Sequence, residues 1–291
     1  MRFAPICDHN PAMRVFVSAD MEGCTGLVSW GQCEGPDGRP DWGFARRMMT
    51  HDVNAAVRGL RAAGAEEIVI KDSHNTSKNL LIDELEPGVR LVSGHGAGLD
   101  GMMQGIDDTF DAAVLVGYHA MAGTGGGVME HTLTGSLHRL WLNDEQVGEI
   151  GLSAFTAATY GVPLVAISSD QAGCDETRAR IPEIATAVTK VGLARYMADL
   201  RSPSVTAPAI EAAFTDGLAR RALIAALPLE GEVRVRLEFN RTESADRCPR
   251  LPGVRRIDGY TVGGTFPNFH TAHTIVWDIL SHGAAGIRAI D

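Results

Sequence analysis

Cysteine is scarce and carries no pairing pattern: the 291-residue chain has five, Cys7, Cys24, Cys33, Cys174 and Cys248, with no C-x-x-C among them. Odd, scattered thiols signal neither a disulfide framework nor a thiolate zinc site, and they fit a reducing, cytoplasmic setting. Positive charge is short as well. Lys and Arg number 26 against 36 Asp and Glu, a net charge of −10, which disfavours nucleic acid or an anionic membrane as partner. No apolar run is long enough to cross a bilayer. Met1 to Ala12, with its charges and two prolines, reads as a loose N-terminal extension rather than the core of a signal peptide. Internal repeats and low-complexity tracts are missing too. What remains, 45% hydrophobic and 21% charged, is an ordinary globular composition, enough for one large domain or two of common size.

The most informative stretch is Arg14-Val-Phe-Val-Ser-Ala-Asp-Met-Glu-Gly-Cys-Thr-Gly26. Val15 to Val17 reads as a buried strand, and Ser18 to Gly23 as the loop leaving its end. Similar apolar runs follow at Ile68–Ile70, Val89–Val92, Ala112–Gly117 and Val162–Ile167, with a helix from an Asp41 N-cap towards Gly64 and another from Glu149 to about Tyr160. Strands alternating with helices predict a mostly parallel α/β sheet flanked by helices over residues 13–200. Arg178 to Ala198 reads as helical, Arg201 to Pro208 as a Pro/Ser linker and Ala209 to Ala226 as a long helix. Val233 to Phe239 alternates at period two, as an antiparallel strand with one wet face should, and His270 to Leu280 reads as a last helix. Residues 201–291 are therefore expected to form a smaller α+β domain.

In parallel sheets ligands bind beyond the carboxyl ends of the strands. Asp20 with Glu22, His74 and His119 each leave a strand at that rim, and Glu149 opens a nearby helix. Two carboxylates just past a core strand are costly unless a cation lies between them. Mixed oxygen and imidazole donors suit zinc, manganese or cobalt, and five are enough for two ions, which makes hydrolysis the natural reaction class. The glycine-dense Gly123 to Glu130 loop ends in His131, a candidate to donate a proton or stabilise an oxyanion.

Each residue also has a plainer reading. Asp20 can cap a helix while Glu22 is solvated; turn hydrogen bonding accounts for His74; His119 can be a satisfied core histidine; Glu149 suits a helix start; His131 can lie on a surface loop. His95, His138, His270, His273 and His282 lack convergent partners. The glycine clusters lack the ending of a P-loop, and Cys174, with Asp170 before it, has no histidine to activate it.

Five motifs in register, Ser18-Ala-Asp-Met-Glu-Gly23, Asp72-Ser-His74, Gly117-Tyr-His119, Val128-Met-Glu-His131 and Gly148-Glu-x-Gly-Leu152, resemble the D-aminopeptidases encoded in bacterial dipeptide-transport operons. The resemblance covers about residues 13 to 200 well and the rest loosely. It implies two zinc ions per subunit, with Asp20 bridging, Glu22 and His74 on one ion, His119 and Glu149 on the other, and His131 assisting catalysis. It further implies a two-domain subunit with a cleft, assembled as a homodecamer of stacked five-membered rings. Ser153, Cys24 and Ser169-Asp170 depart from the family pattern, and these departures bear on substrate choice rather than on metal binding. The expected function is thus a cytoplasmic, zinc-dependent aminopeptidase removing the N-terminal residue of short peptides, D-amino acid peptides first among them. A dizinc amidase acting on a non-peptide amide, and a metal-dependent peptide-binding protein without turnover, are the alternatives.

Overall fold

Runs that are apolar at every position can be buried on both faces only inside a sheet covered by helices on either side. β4 (Ala112–Tyr118) is buried at all seven positions, and five of six in β1 (Arg14–Ala19) are buried. A computed structural model describes residues 12–35, 41–96 and 100–284 of the chain; the expected N-terminal extension lies almost wholly outside the described residues. After β1 come α1 (Trp30–Cys33), α2 (Trp42–Ala62), β2 (Glu67–Asp72), β3 (Arg90–Val92) and β4. β5 (Leu137–Leu142), β6 (Glu145–Gln146), α3 (Glu149–Thr159), β7 (Leu164–Asp170), α4 (Gln171–Arg180), β8 (Ala185–Ala194), β9 (Met197–Leu200) and α5 (Pro203–Ala219) follow. The chain ends through β10 (Val233–Phe239), α6 (Thr242–Arg247), β11 (Arg255–Arg256), β12 (Thr261–Phe266) and α7 (Phe269–Ala284).

Seven strands form one sheet in the order β3-β2-β1-β4-β7-β8-β9, parallel except for β9, which pairs antiparallel with β8. Five form a second, antiparallel sheet ordered β11-β12-β10-β5-β6. Two apolar clusters correspond to them, one around β1, β4, β7, α2 and α5, the other around β5, β10, β12 and α7. This is the α/β class with an antiparallel second sheet that the strand patterns predict. The alternation over Val233–Phe239 is realised as buried and half-exposed or exposed positions in turn.

Two local expectations differ. The stretch read as helical, Arg178–Ala198, is the end of α4 followed by β8 and the turn into β9. The segment read as a linker is the first turns of α5: Pro203 occupies the N1 position, where a missing N–H removes no intrahelical bond, and Pro208 is carried inside the helix. α5 packs against α2, β7 and β8, and that burial outweighs the propensity cost of Pro208.

Candidate metal centre and active site

β1 and β4 lie side by side and in register, so the loops that leave them start together. Asp20 N–H donates to Val116 O at 2.8 Å and Gly23 N–H to Gly117 O at 2.8 Å, pressing the Asp20–Gly23 loop on the end of β4. Both contact residues must be glycine. A Cβ on Gly23 would overlap the Tyr118 carbonyl, and one on Gly117, whose φ is +69°, would overlap Asp20 O and Cys24 Sγ. That close approach brings Asp20 to His119.

Two structural anchors hold the loop from below. Lys190, fully buried on β8, donates to the carbonyls of Glu22 (2.5 Å), Cys24 (2.8 Å) and Leu27 (2.7 Å), using all three ammonium protons. Beside it Thr189 donates to Gly23 O at 2.6 Å. The His74 loop is held in the same manner by Asp72, which accepts from Asn79 N–H, Leu80 N–H and the Asn79 amide, while that amide also donates to His74 O at 2.7 Å.

The five sequence-predicted donors and His131 come together. His74 Nδ1 lies 3.2 Å from Asp20 Oδ1 and 3.1 Å from Glu22 Oε2. His119 Nε2 lies 3.4 Å from Asp20 Oδ2 and 3.3 Å from Glu149 Oε2. His131 Nε2 is 3.6 Å from Glu149 Oε1, its ring stacked on His119 at 4.1 Å and met edge-on by Trp30 at 4.9 Å. Asp20 thus turns one oxygen to each of two histidines. Glu149 is both things the sequence allowed, a first-turn carboxylate of α3 and a partner of His119, and its Oε1 also accepts from Leu133 N–H at 2.6 Å.

Whether a cation fits is decided by the far sides of the rings. His74 Nε2 faces the Cys33 carbonyl at 2.8 Å, His119 Nδ1 faces Ala120 O at 3.0 Å, and His131 Nδ1 faces Met129 O at 3.0 Å. A carbonyl only accepts, so each of these nitrogens carries the proton and the other nitrogen of a neutral ring turns a lone pair towards the carboxylates. Lone pairs facing carboxylates are repulsive unless the rings are doubly protonated or a cation intervenes. Asp20 Oδ2, Glu22 Oε2 and His119 Nε2 are buried without a hydrogen-bond partner among the described residues. The sets Asp20, Glu22, His119 and His119, His131, Glu149 each gather donor atoms within 4.8 Å of one another. The residues fit divalent ions.

Electrostatics without a cation show the same tension. Burial, then Glu22 beside it, pushes the Asp20 carboxyl up to about 7. Burial opposes ionisation of Glu22 too, but His74 outweighs it and holds that carboxyl well below its ordinary value. His74 and His119 are penalised by burial yet raised well above the usual imidazole range by their carboxylate neighbours. His131 is lowered by burial and by the charge of His119. Divalent ions would replace the protons in holding this cluster together.

The centre opens into a cavity of about 560 Å³. Trp30, Met102, Arg195, Tyr196 and Trp277 line it, and so does His95, which the sequence left without a partner. Sequence reasoning also missed Lys190 and the task of Asp170. Asp170 caps α4 through Gly173 N–H and accepts from Val128 N–H at 2.7 Å, fastening the glycine-rich loop that ends in His131. Cys174 is buried against backbone carbonyls, and burial raises its thiol to about 12.

Comparisons with known proteins bear on the same residues. The sequence profile of a family described as D-aminopeptidase matches residues 13–277. A curated D-aminopeptidase of Bacillus subtilis (strain 168) is 29% identical over 255 residues, 86% of this chain and 89% of the relative. A solved structure described as Zn-dependent D-aminopeptidase DppA from Bacillus subtilis, a self-compartmentalizing protease, aligns with a TM-score of 0.90 at 27% identity, covering 96% of this chain and 100% of that one.

Proposed function

The chain belongs to the D-aminopeptidase family, and from that premise we propose that it is a zinc-dependent enzyme removing the N-terminal residue of short peptides that begin with a D-amino acid. One observation carries the reading most: the two oxygens of Asp20 face His74 on one side and His119 on the other. That disposition supports a two-ion reading, in which Glu22 and His74 would hold one ion, His119 and Glu149 the other, and Asp20 would be shared. When bound, zinc supplies Lewis acidity towards the scissile carbonyl and makes water a competent nucleophile near neutral pH.

The rest falls to the chain's own side chains. With Nδ1–H given to Met129 O and burial lowering its pKa, His131 offers Nε2 as a base. It can hold a proton there and pass it to the departing amine. Stacking on His119 and the edge of Trp30 fix the ring, so little reorganisation is needed. Trp277, from α7, lines the cavity, which supports a cleft bordered in part by the C-terminal segment, although β5 and β6 join the antiparallel sheet and α5 packs on the parallel one.

Homo-oligomeric assembly draws support from the self-compartmentalizing neighbour; the decamer is the form that the family resemblance implies. Exposed Leu193, Met197, Leu200 and Val205 along β8, β9 and the start of α5 are surfaces such an assembly would cover. No described helix is long and apolar enough to cross a membrane; a cytoplasmic location belongs to the same proposal. Chelated protein is expected to be inert towards D-alanyl peptides, to recover with zinc, and to cleave the D form faster than the L form. Equal rates for stripped and zinc-loaded protein would overturn the reading.

A further inference from the structure

The cavity walls are unequal in charge. Asp20, Glu22, Glu34 and Glu149 contribute four carboxylates, whereas Arg195 is the single Lys or Arg among the described lining residues. A short peptide with free ends brings one charge of each sign. With Asp20, Glu22 and Glu149 assigned to the metal ions in the reading above, Arg195 is the one Lys or Arg side chain among the described lining residues that can receive the peptide's carboxylate end.

Arg195 is built to stay in place. With Tyr196 it forms the two-residue turn between β8 and β9, where Ala194 pairs with Met197. Its carbonyl accepts from Met129 N–H at 2.8 Å, and the adjacent Tyr196 hydroxyl accepts from the Trp30 indole at 3.1 Å. One edge of the guanidinium is occupied: Nη2 donates to Glu130 O at 2.9 Å and Nε lies 3.4 Å from Glu130 Oε2. Nη1 has no hydrogen-bond or ion-pair partner among the described residues; the guanidinium lies over the Tyr196 ring at 5.7 Å, and the side chain, 44% exposed, borders the cavity. Arg195 and His131, the proposed proton carrier, line the same cavity. Arg195, His131 and Gly135 also border a smaller adjoining cavity of about 150 Å³.

Resting on the aminopeptidase reading above, we propose that Arg195 is the specificity-determining residue for the leaving side of the substrate. Its guanidinium receives the C-terminal carboxylate of a dipeptide and so selects very short peptides with a free C terminus over blocked or longer ones. Glu130 orients the guanidinium, and the free Nη1 supplies the donor. The contact is made in the ground state and kept through the reaction, so it acts mainly on KM.

The test compares D-alanyl-D-alanine with its C-terminal amide on zinc-loaded wild type, Arg195→Gln and Arg195→Lys. A charge-assisted contact of this kind corresponds to about 10–100-fold in kcat/KM. Wild type is expected to favour the free acid by that factor, chiefly through KM; Arg195→Gln to bring the acid-to-amide ratio near one; and Arg195→Lys to restore part of it. A loosened hairpin would slow both peptides alike and leave the ratio intact, so an unchanged ratio in Arg195→Gln, or a wild-type ratio near one, overturns the assignment. Calorimetric binding of the two peptides to the same three proteins reads the ratio without turnover. If neither peptide is cleaved yet the acid binds more tightly and only through Arg195, the aminopeptidase reading fails while the carboxylate site stands.

Discussion

β4 and β10 are both seven residues long and solve different problems. β4 is buried at every position, β10 only at every second one. A strand buried on both faces has no side chain free for a ligand along its length. The parallel sheet therefore sends its chemistry to the strand ends, where Asp20, His74 and His119 leave β1, β2 and β4. The antiparallel sheet keeps a wet face and tight turns such as Asn143–Asp144, and its described residues gather no cluster of metal donors. One sheet is a platform that presents charge at its rim; the other is an apolar layer beside it. If this division is right, damage to the platform reaches the metal before the fold fails, whereas damage to the layer reaches stability alone.

Lys190→Met gives the largest expected effect. It leaves three buried carbonyls, those of Glu22, Cys24 and Leu27, without a donor. Removing one member of a buried charged network costs about 3–5 kcal/mol, and loosening the support behind a ligand costs about 10–100-fold in metal affinity. Urea unfolding together with zinc titration should show both losses, and intact zinc affinity would mean that Lys190 serves only the core. Leu237→Ala, at a fully buried position of β10, should cost a comparable or smaller amount, about 2–5 kcal/mol. In that variant zinc affinity, measured below the unfolding transition, should match wild type. A shifted affinity would erase the distinction between the two sheets.

The same contrast explains what the chain made legible. β1, β2 and β4 are continuous apolar runs broken by polar loops, so the strands and the ligands after them can be read together. β10 shows its alternation directly. β8 does not: Ala185, Ala187, Lys190 and Ala194 are residues of helical composition, and only a place beside β7 makes them a strand. Arg195 was hidden with them, since a turn inside an assumed helix carries no signal; the β-branched Thr186, Val188, Thr189 and Val191 were the hint available. Lys190 and Asp170 act on backbone carbonyls and N–H groups, which leave no mark in a sequence. Glu149 was legible only in part, because a helix-start carboxylate and a ligand look alike until His119 stands opposite.

A smaller effect should separate the sheets by pH. Glu176, half-buried on α4, accepts from Met121 N–H at 2.7 Å just beyond His119, and burial pushes its carboxyl from 4.5 up to about 7. With a folded pKa above the unfolded one, the native state binds more protons between about pH 4.5 and 7. Its stabilising influence is therefore full below 4.5 and lost as pH rises through 7. Glu176→Gln keeps the acceptor and removes the titration, so it should be more stable than wild type at pH 8, by no more than about 3 kcal/mol, and nearly equal at pH 4. On the second sheet Glu238, paired with Arg139 at 3.8 Å and partly exposed, offers the counterpart: Glu238→Gln should change stability by less than about 0.5 kcal/mol at either pH. Urea midpoints of the two variants at both pH values, with zinc held constant, measure the difference. Equal pH responses would mean that the rim of the parallel sheet holds no more electrostatic tension than the layer beside it.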